Sequence, residues 1–218
     1  MNYAIILAGG TGSRAGGTLP KQFQYVRGKR LIWWSVEAFK AFDPDCRIIM
    51  AVHQNFLDNW DLILGPEERE LGFEIIKVSG GASRFYSVKN ALSIIDDPDA
   101  VVFIHDGARP LLTPDLISRG ASVVSSGVGA IPVIPLVDSI RELTQSGSVS
   151  VDRSRFVAVQ TPQIFMCGDI RKAYELADSD VGFTDDASVG EKFGIEIVTF
   201  PGDSKNIKVT NPEDFKRI

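Results

Sequence analysis

The chain has 218 residues, with 23 Lys and Arg against 28 Asp and Glu and a net charge of −5. Its 44% hydrophobic and 23% charged residues are ordinary globular values, which excludes a disordered or fibrous chain and one that needs metal or disulfide staples to fold. The acidity excludes a general polyanion binder, and the longest apolar runs fall short of the ~18 residues of a membrane-spanning helix.

Residues 3–8 predict a first strand, buried on both faces because Ala4 to Ala8 is continuously apolar. Residues 31–42 place Leu31, Trp34, Ala38 and Phe42 at helical spacing. A second strand follows at 47–53, a helix at 56–64, a third strand at 73–78 and a helix at 83–95. Residues 100–105 predict another strand and 114–125 another helix. This alternation requires crossover connections and a doubly wound, mainly parallel α/β sheet, read as a single domain over 1–218.

Residues 138–159 depart from that rhythm. Two polar-flecked extended runs flank Gln145-Ser146-Gly147-Ser148 with no helix between them, the pattern of an inserted β-hairpin arm. Such an arm has little core of its own, so it either lies on its own domain or grips a second subunit. A late strand at 195–200 and a closing helix at 212–218 complete the reading. Met1-Asn2-Tyr3 opens straight into the first strand without a basic leader, and Cys46 and Cys167 lie in no ligand spacing. With only His53 and His105 beside them, the composition argues against a zinc site built on His and Cys. The expectation is a soluble cytoplasmic protein with inert thiols.

The first strand runs into Gly9-Gly10-Thr11-Gly12-Ser13-Arg14-Ala15-Gly16-Gly17. Glycines at the carboxyl end of a strand let backbone N–H groups turn toward an anion, so the loop predicts a phosphate cradle. No Gly-Lys-Ser/Thr ending exists for a Walker loop. The dinucleotide fingerprint is matched in letters at Gly10-Thr-Gly12-Ser-Arg-Ala15. However, Pro20-Lys21-Gln22 keeps the chain in a loop, and the second strand ends at His53 rather than at an acid for a ribose hydroxyl. What remains is a cradle that carries its own cations, Arg14 and Lys21, suited to charge that grows in phosphoryl or nucleotidyl transfer.

Other blocks point the same way. Gly80-Gly81 follows the third strand, and Arg84 and Ser87 lie in the first turns of the next helix, where a ligand can meet its N-terminus. Asp106 ends the apolar run from Ala100 at an expected topological switch point, placed either to orient substrate or a magnesium hydrate or to cap its own turn. Arg109 can pair with Asp106 or contact phosphate.

Leu7-Ala8-Gly9-Gly10-x-Gly12-Ser13-Arg14 with Pro20-Lys21-Gln22 resembles the signature of sugar-phosphate nucleotidyltransferases. Five further blocks extend the likeness: Gly80-Gly81-x-x-Arg84-x-x-Ser87-Val88, His105-Asp106-Gly107-Ala108-Arg109-Pro110, Val151-Asp152-Arg153 with Thr161-Pro162-Gln163, Thr184-Asp185-Asp186-Ala187, and Asn206-Ile207-Lys208-Val209-Thr210. In that order they resemble the 2-C-methyl-D-erythritol 4-phosphate cytidylyltransferases of the non-mevalonate isoprenoid pathway.

The resemblance implies a Rossmann-like nucleotidyltransferase fold and a homodimer joined through the 138–159 arm. It implies CTP and a polyol phosphate as substrates, with no nucleic acid or membrane partner. Ala8, Gly9, Gly10, Gly12, Gly81, Arg84, Ser87 and Gly107 would bind the nucleotide, and Arg14 and Lys21 would stabilise the transition state. Arg153 and Lys208 would position the acceptor, with Asp106, Arg109, Thr161 and Thr184 around it. Arg153 and Thr161 would act in the neighbouring active site. Mg²⁺ would be carried mainly on the CTP phosphates, with Asp106 as its candidate protein ligand.

Two departures stand out: Gly107 replaces a frequent Ala, trimming a methyl group beside the nucleotide, and Ala82 replaces a polar residue. Six cations, Arg14, Lys21, Arg84, Arg109, Arg153 and Lys208, fall in motif positions assigned to one anionic cleft. Three other readings remain: a ribitol 5-phosphate cytidylyltransferase, a noncatalytic CTP-binding module that kept the fold, and a dinucleotide oxidoreductase.

Overall fold

The first strand sets the architecture. In β1 (Asn2–Ala8), Ala4, Ile6 and Ala8 point to one face and Tyr3, Ile5 and Leu7 to the other, and each set joins a different hydrophobic core. A strand with both faces covered reads as one unbroken apolar run. The computed structural model describes residues 1–10 and 19–218. Gly12 and Arg14 lie outside the described residues.

After a short hairpin, β2 (Tyr25–Val26) with β3 (Lys29–Arg30), helix α1 (Leu31–Phe42) leads into β4 (Arg47–Val52). Three short helices, α2 (Gln54–Leu57), α3 (Trp60–Ile63) and α4 (Gly65–Leu71), precede β5 (Ile75–Ser79). Then come α5 (Arg84–Leu92), β6 (Val101–Asp106), α6 (Pro114–Ala121) and β7 (Val128–Pro135). The hairpin strands β8 (Arg141–Thr144) and β9 (Gly147–Ser150) are followed by β10 (Val157–Val159) and β11 (Gln163–Met166). Helices α7 (Cys167–Leu176) and α8 (Asp186–Lys192) and strand β12 (Glu196–Pro201) follow, and a 3₁₀ helix spans Pro212–Arg217.

The main sheet runs β10-β7-β11-β6-β1-β4-β5, with β12 also paired to β7. Strands β6, β1, β4 and β5 are parallel, as is the β12–β7 pair, whereas β10 and β11 run antiparallel to β7. One face carries α1 and α6 over a core containing Phe39, Phe103, Leu116 and Ile117. The other carries α5, α7 and α8 over Phe85, Phe165, Ile170 and Tyr174. Burial of each such aromatic or aliphatic side chain stabilises the fold by about 1.5–3 kcal/mol.

The helix expected over 56–64 is broken into pieces. The Asn59 amide donates to the Asn55 carbonyl at 2.8 Å, Asn59 itself leaves helical geometry, and α4 restarts with Pro66 in its first turn. α4 then ends on Gly72 at φ +75°, a left-handed cap, so β5 begins two residues later than the apolar pattern suggests. The expected closing helix is 3₁₀ rather than α. Of the 138–159 arm, only β8 and β9 form a separate two-stranded sheet, and residues 157–159 return to the main sheet as β10.

Gly120 brings α6 down onto the sheet, since a Cβ there would stand 2.3 Å from Ile164 Cδ1 and 2.6 Å from Phe200 Cζ. Gly120→Ala is therefore expected to destabilise the fold by about 1–3 kcal/mol through overpacking. Ser118→Ala, on the exposed side of the same helix, should stay within about 0.5 kcal/mol. Urea denaturation of both variants checks the pair.

Candidate active site

Between β1 and β6 the chain reverses its direction of strand addition, and Leu7 of β1 lies in register with Asp106 of β6. Open α/β sheets bind ligands at such a switch point, outside the carboxyl ends of the strands. A cavity of about 410 Å³ lies there, lined by Gly9 and Gly10 after β1, Gly81, Arg84 and Ser87 around the start of α5, and Asp106 and Gly107 after β6. Lys21, Gln22, Ala82, Ala108 and Lys208 complete much of the wall. This is the size of a small-molecule site.

Side chains behind the wall hold its backbone. The Gln22 amide donates to the carbonyls of Ala8 and Gly10 at 2.7 and 2.8 Å, fixing the exit of β1. The Ser87 hydroxyl accepts from Gly81 N–H at 3.0 Å and donates to the Ser83 carbonyl at 2.9 Å. A Cβ on Gly81 would stand 2.2 Å from that of Tyr86, so the wall closes only with glycine there. The Gly107 position corrects one expectation. A methyl group there would meet the Leu7 carbonyl at 2.9 Å and Ile32 and Ile6 at 3.3 Å, so it would enter the packed interior rather than the nucleotide side.

Asp106 stands among three cations. Lys208 Nζ is 2.8 Å from Oδ2, Arg84 Nε is 3.6 Å from Oδ1, and Arg109 Nε is 3.8 Å from Oδ2. Burial opposes its charge, but Arg84 and then Lys208 outweigh that and hold the carboxyl well below the usual carboxylate range. Lys21, in the 3₁₀ turn Lys21–Phe23, donates to the Val209 carbonyl at 2.6 Å and so meets the strand-like run that carries Lys208. Arg84 has a second acid behind it. Its Nη1 and Nη2 donate to Oδ1 and Oδ2 of the fully buried Asp186 at 2.8 and 2.6 Å.

Of the expected residues that the structure describes, Ala8, Arg109, Arg153, Thr161 and Thr184 are not part of the cavity wall. Arg109 donates from Nη1 to the Asn206 carbonyl at 2.7 Å, bracing the Lys208 segment as well as facing Asp106. Thr161 is buried behind Asp106, its hydroxyl engaged on both sides, so within this chain it supports the site rather than facing it. Thr184 is exposed just before α8, beside Arg84 and Tyr174. Arg153 is exposed in the 3₁₀ turn Arg153–Arg155, with its guanidinium on the Val137 carbonyl, and does not reach this chain's cavity. Gln22, Asp186, Gln163 and Asn206 act on the site without having been singled out. All four sit inside the motif blocks, which was the available signal.

Among the described residues, no three His, Cys, Asp or Glu side chains converge to hold a metal ion. One carboxylate already facing three cations fits a Mg²⁺ that arrives on a polyphosphate with its waters, not one caged by protein. Burial pushes the Cys46 thiol up to about 12 and Cys167 up to about 11, so neither supplies a nucleophile.

His105 is fully buried between Thr161 and the Arg109 carbonyl. Since that carbonyl can only accept, Nε2 carries the proton, and Nδ1 accepts from the Thr161 hydroxyl at 3.1 Å. The same hydroxyl accepts from Asp106 N–H at 3.1 Å. Burial lowers the imidazole from 6.5 to about 4, against the pull of Asp106. The neutral ring therefore favours the folded state: its contribution is complete above pH 6.5 and is lost as the pH falls toward 4, by about 3 kcal/mol. His105→Gln, which keeps a donor and an acceptor, should lose less stability than the wild type between pH 7 and 4. Parallel unfolding curves at each pH would show equal losses if the ring is not responsible.

The family model described as IspD, 2-C-methyl-D-erythritol 4-phosphate cytidylyltransferase, matches residues 2–218. A protein of that name from Bacteroides fragilis is 40% identical over 215 residues, covering 98% of this chain and 95% of the relative. Its counterpart from Bacteroides thetaiotaomicron is 39% identical over 212 residues, covering 97% and 95%. The crystal structure of the Francisella tularensis protein of the same name is similar with a TM-score of 0.75 at 28% identity, over 99% of this chain and 97% of that one. Site geometry, ordered motifs and near full-length similarity converge: the chain belongs to the 2-C-methyl-D-erythritol 4-phosphate cytidylyltransferase family.

Proposed function

We propose that the chain transfers the cytidylyl group of CTP to 2-C-methyl-D-erythritol 4-phosphate. An oxygen of the acceptor phosphate attacks the α-phosphorus of CTP, and the bond from that phosphorus to the bridging oxygen of the β-phosphate breaks. The products are 4-diphosphocytidyl-2-C-methyl-D-erythritol and pyrophosphate. The observation that carries this reading is the switch-point cavity, where glycine backbone meets Lys21 and Lys208 around one carboxylate. A phosphate is already ionised and nucleophilic at neutral pH, so the reaction needs no His or Cys base. Positioning and charge neutralisation suffice.

In this reading Lys21, with Arg14 of the glycine loop, balances charge on the triphosphate, and Gly81, Ser87 and Gly107 enclose the nucleoside. Lys208 receives the acceptor phosphate beside Asp106, whose carboxylate suits the acceptor's hydroxyl groups. Asp106 is the residue that would hold the waters of a Mg²⁺ arriving with CTP, which would supply Lewis-acid neutralisation of the phosphate charge. Thr184, exposed beside Arg84 but outside the cavity wall, suits acceptor binding only at the cavity's margin.

The functional unit is a homodimer in this reading. Leu143 and Val137 are 84% and 83% exposed, and Val149 and Phe156 are also exposed, so apolar side chains stand out on both faces of an arm without a core. A second copy covering the arm would bring Arg153 to the neighbouring cavity, as the family resemblance implies. No described helix is long and apolar enough to cross a membrane. The two free, buried thiols fit the reducing cytoplasm.

Pyrophosphate release with CTP and 2-C-methyl-D-erythritol 4-phosphate, run beside ribitol 5-phosphate, tests the reading. Turnover with ribitol 5-phosphate alone would reassign the acceptor. Lys21→Ala is expected to lower kcat by about 10²–10³-fold while CTP still binds. Arg153→Ala should raise the acceptor KM about tenfold and leave that of CTP unchanged. Full activity from a chain that sediments as a monomer at assay concentration would exclude the dimer.

A further inference from the structure

Asp186 is a buried carboxylate that the reaction as written does not use. It is the first residue of α8, has no exposed surface, and accepts from Arg84 in bidentate fashion at 2.8 and 2.6 Å. Tyr174 donates its hydroxyl to the same Oδ1 at 2.7 Å. Such a fork fixes the plane of a guanidinium as well as its place. With both terminal nitrogens on Asp186, Arg84 presents Nε toward Asp106 Oδ1 at 3.6 Å.

The support behind Asp186 is itself rigid. Gln163 donates to Asp185 Oδ2 at 2.8 Å and accepts from Ala187 N–H at 2.8 Å, bracketing Asp186 from both sides. Asp185 and Ser188 close a capping box on the same turn. The Tyr174 ring stacks on Phe85, the residue after Arg84, at 4.7 Å. Strand β11, helix α7 and helix α8 thus converge on the orientation of one cavity-wall arginine.

We propose that Asp186, assisted by Tyr174, is a positioning residue for cytidylyl transfer: it holds the Arg84 guanidinium at the cavity wall so that Asp106 is oriented from one side by Arg84 and from the other by Lys208. This rests on the cytidylyl-transfer reading. An ion pair whose carboxylate is buried and whose arginine is partly exposed is weak evidence for stability, because well-packed apolar replacements are often as stable. Its place at the wall of the cavity points to geometry instead. Because Asp186 matches the Arg84 charge, that arginine acts as a strut and not as a phosphate-binding cation. Once released, it would turn its terminal nitrogens to Asp106 and compete with Lys208.

The test compares Asp186→Asn, Tyr174→Phe and the double variant with the wild type, measuring kcat, both KM values and the unfolding midpoint. Assays run well below each midpoint. Asp186→Asn is expected to lower kcat about 10–100-fold with the CTP KM nearly unchanged, and Tyr174→Phe to lower it a few-fold. The double variant should fall short of the product of the two losses, since both act through Arg84. A lower midpoint with wild-type kcat would make the pair purely structural and overturn the proposal. If Asp186→Asn does not fold, Tyr174→Phe decides: it keeps the stacked ring, and wild-type kcat in that variant overturns the proposal. Absence of pyrophosphate release by the wild type would instead remove the cytidylyl-transfer reading, and this inference with it.

Discussion

One desolvated carboxylate organises the site. Asp106 is largely buried, with 13% of its side chain exposed at the cavity wall, and burying a lone charge costs several kcal/mol unless cations compensate. The compensation comes from three separate parts of the chain: Arg84 on α5, Arg109 just past β6, and Lys208 near the end of the described sequence. Two of these cations are in turn braced elsewhere, Arg84 by Asp186 and Arg109 by the Asn206 carbonyl. The electrostatic requirement of one side chain therefore draws distant segments to the same point on the sheet edge.

The sheet explains why that point lies where it does. Along β6, Val102 and Ile104 join the α5 side of the core while Phe103 joins the α1 side. By that alternation Asp106 emerges toward α5 and its arginine, whereas His105 turns the other way, packing edge-on to Phe39 at 5.7 Å. Neighbouring residues of one motif thus do different work. One carries charge into the cavity, and the other is a neutral clip that ties Thr161 and the Arg109 carbonyl together behind it.

Much of this was legible in the sequence, for identifiable reasons. Strands β1, β4 and β6 announce themselves because burial on both faces demands continuous apolar runs, and the glycine blocks mark where those strands end. β7 was hidden by Pro132 and Pro135, which lower strand propensity although the strand pairs on both sides. α8 was hidden by its brevity and by Gly190, and it forms only because a capping box and Gln163 hold its first turn. Asp186 and Gln22 are not marked as site residues by sequence for a different reason. They act through hydrogen bonds to other residues of the site, and no local pattern encodes which distant carbonyl or guanidinium a side chain will reach.

The small sheet of β8 and β9 has a consequence of another kind. A two-stranded hairpin is at best marginally stable in water on its own, and nearly every residue of this one is exposed. The chain's own folding places few demands on the side chains at positions 141–150. In the dimer reading, what selects those side chains acts from outside the protomer, and the arm's sequence would record the surface it meets and not the core it grew from.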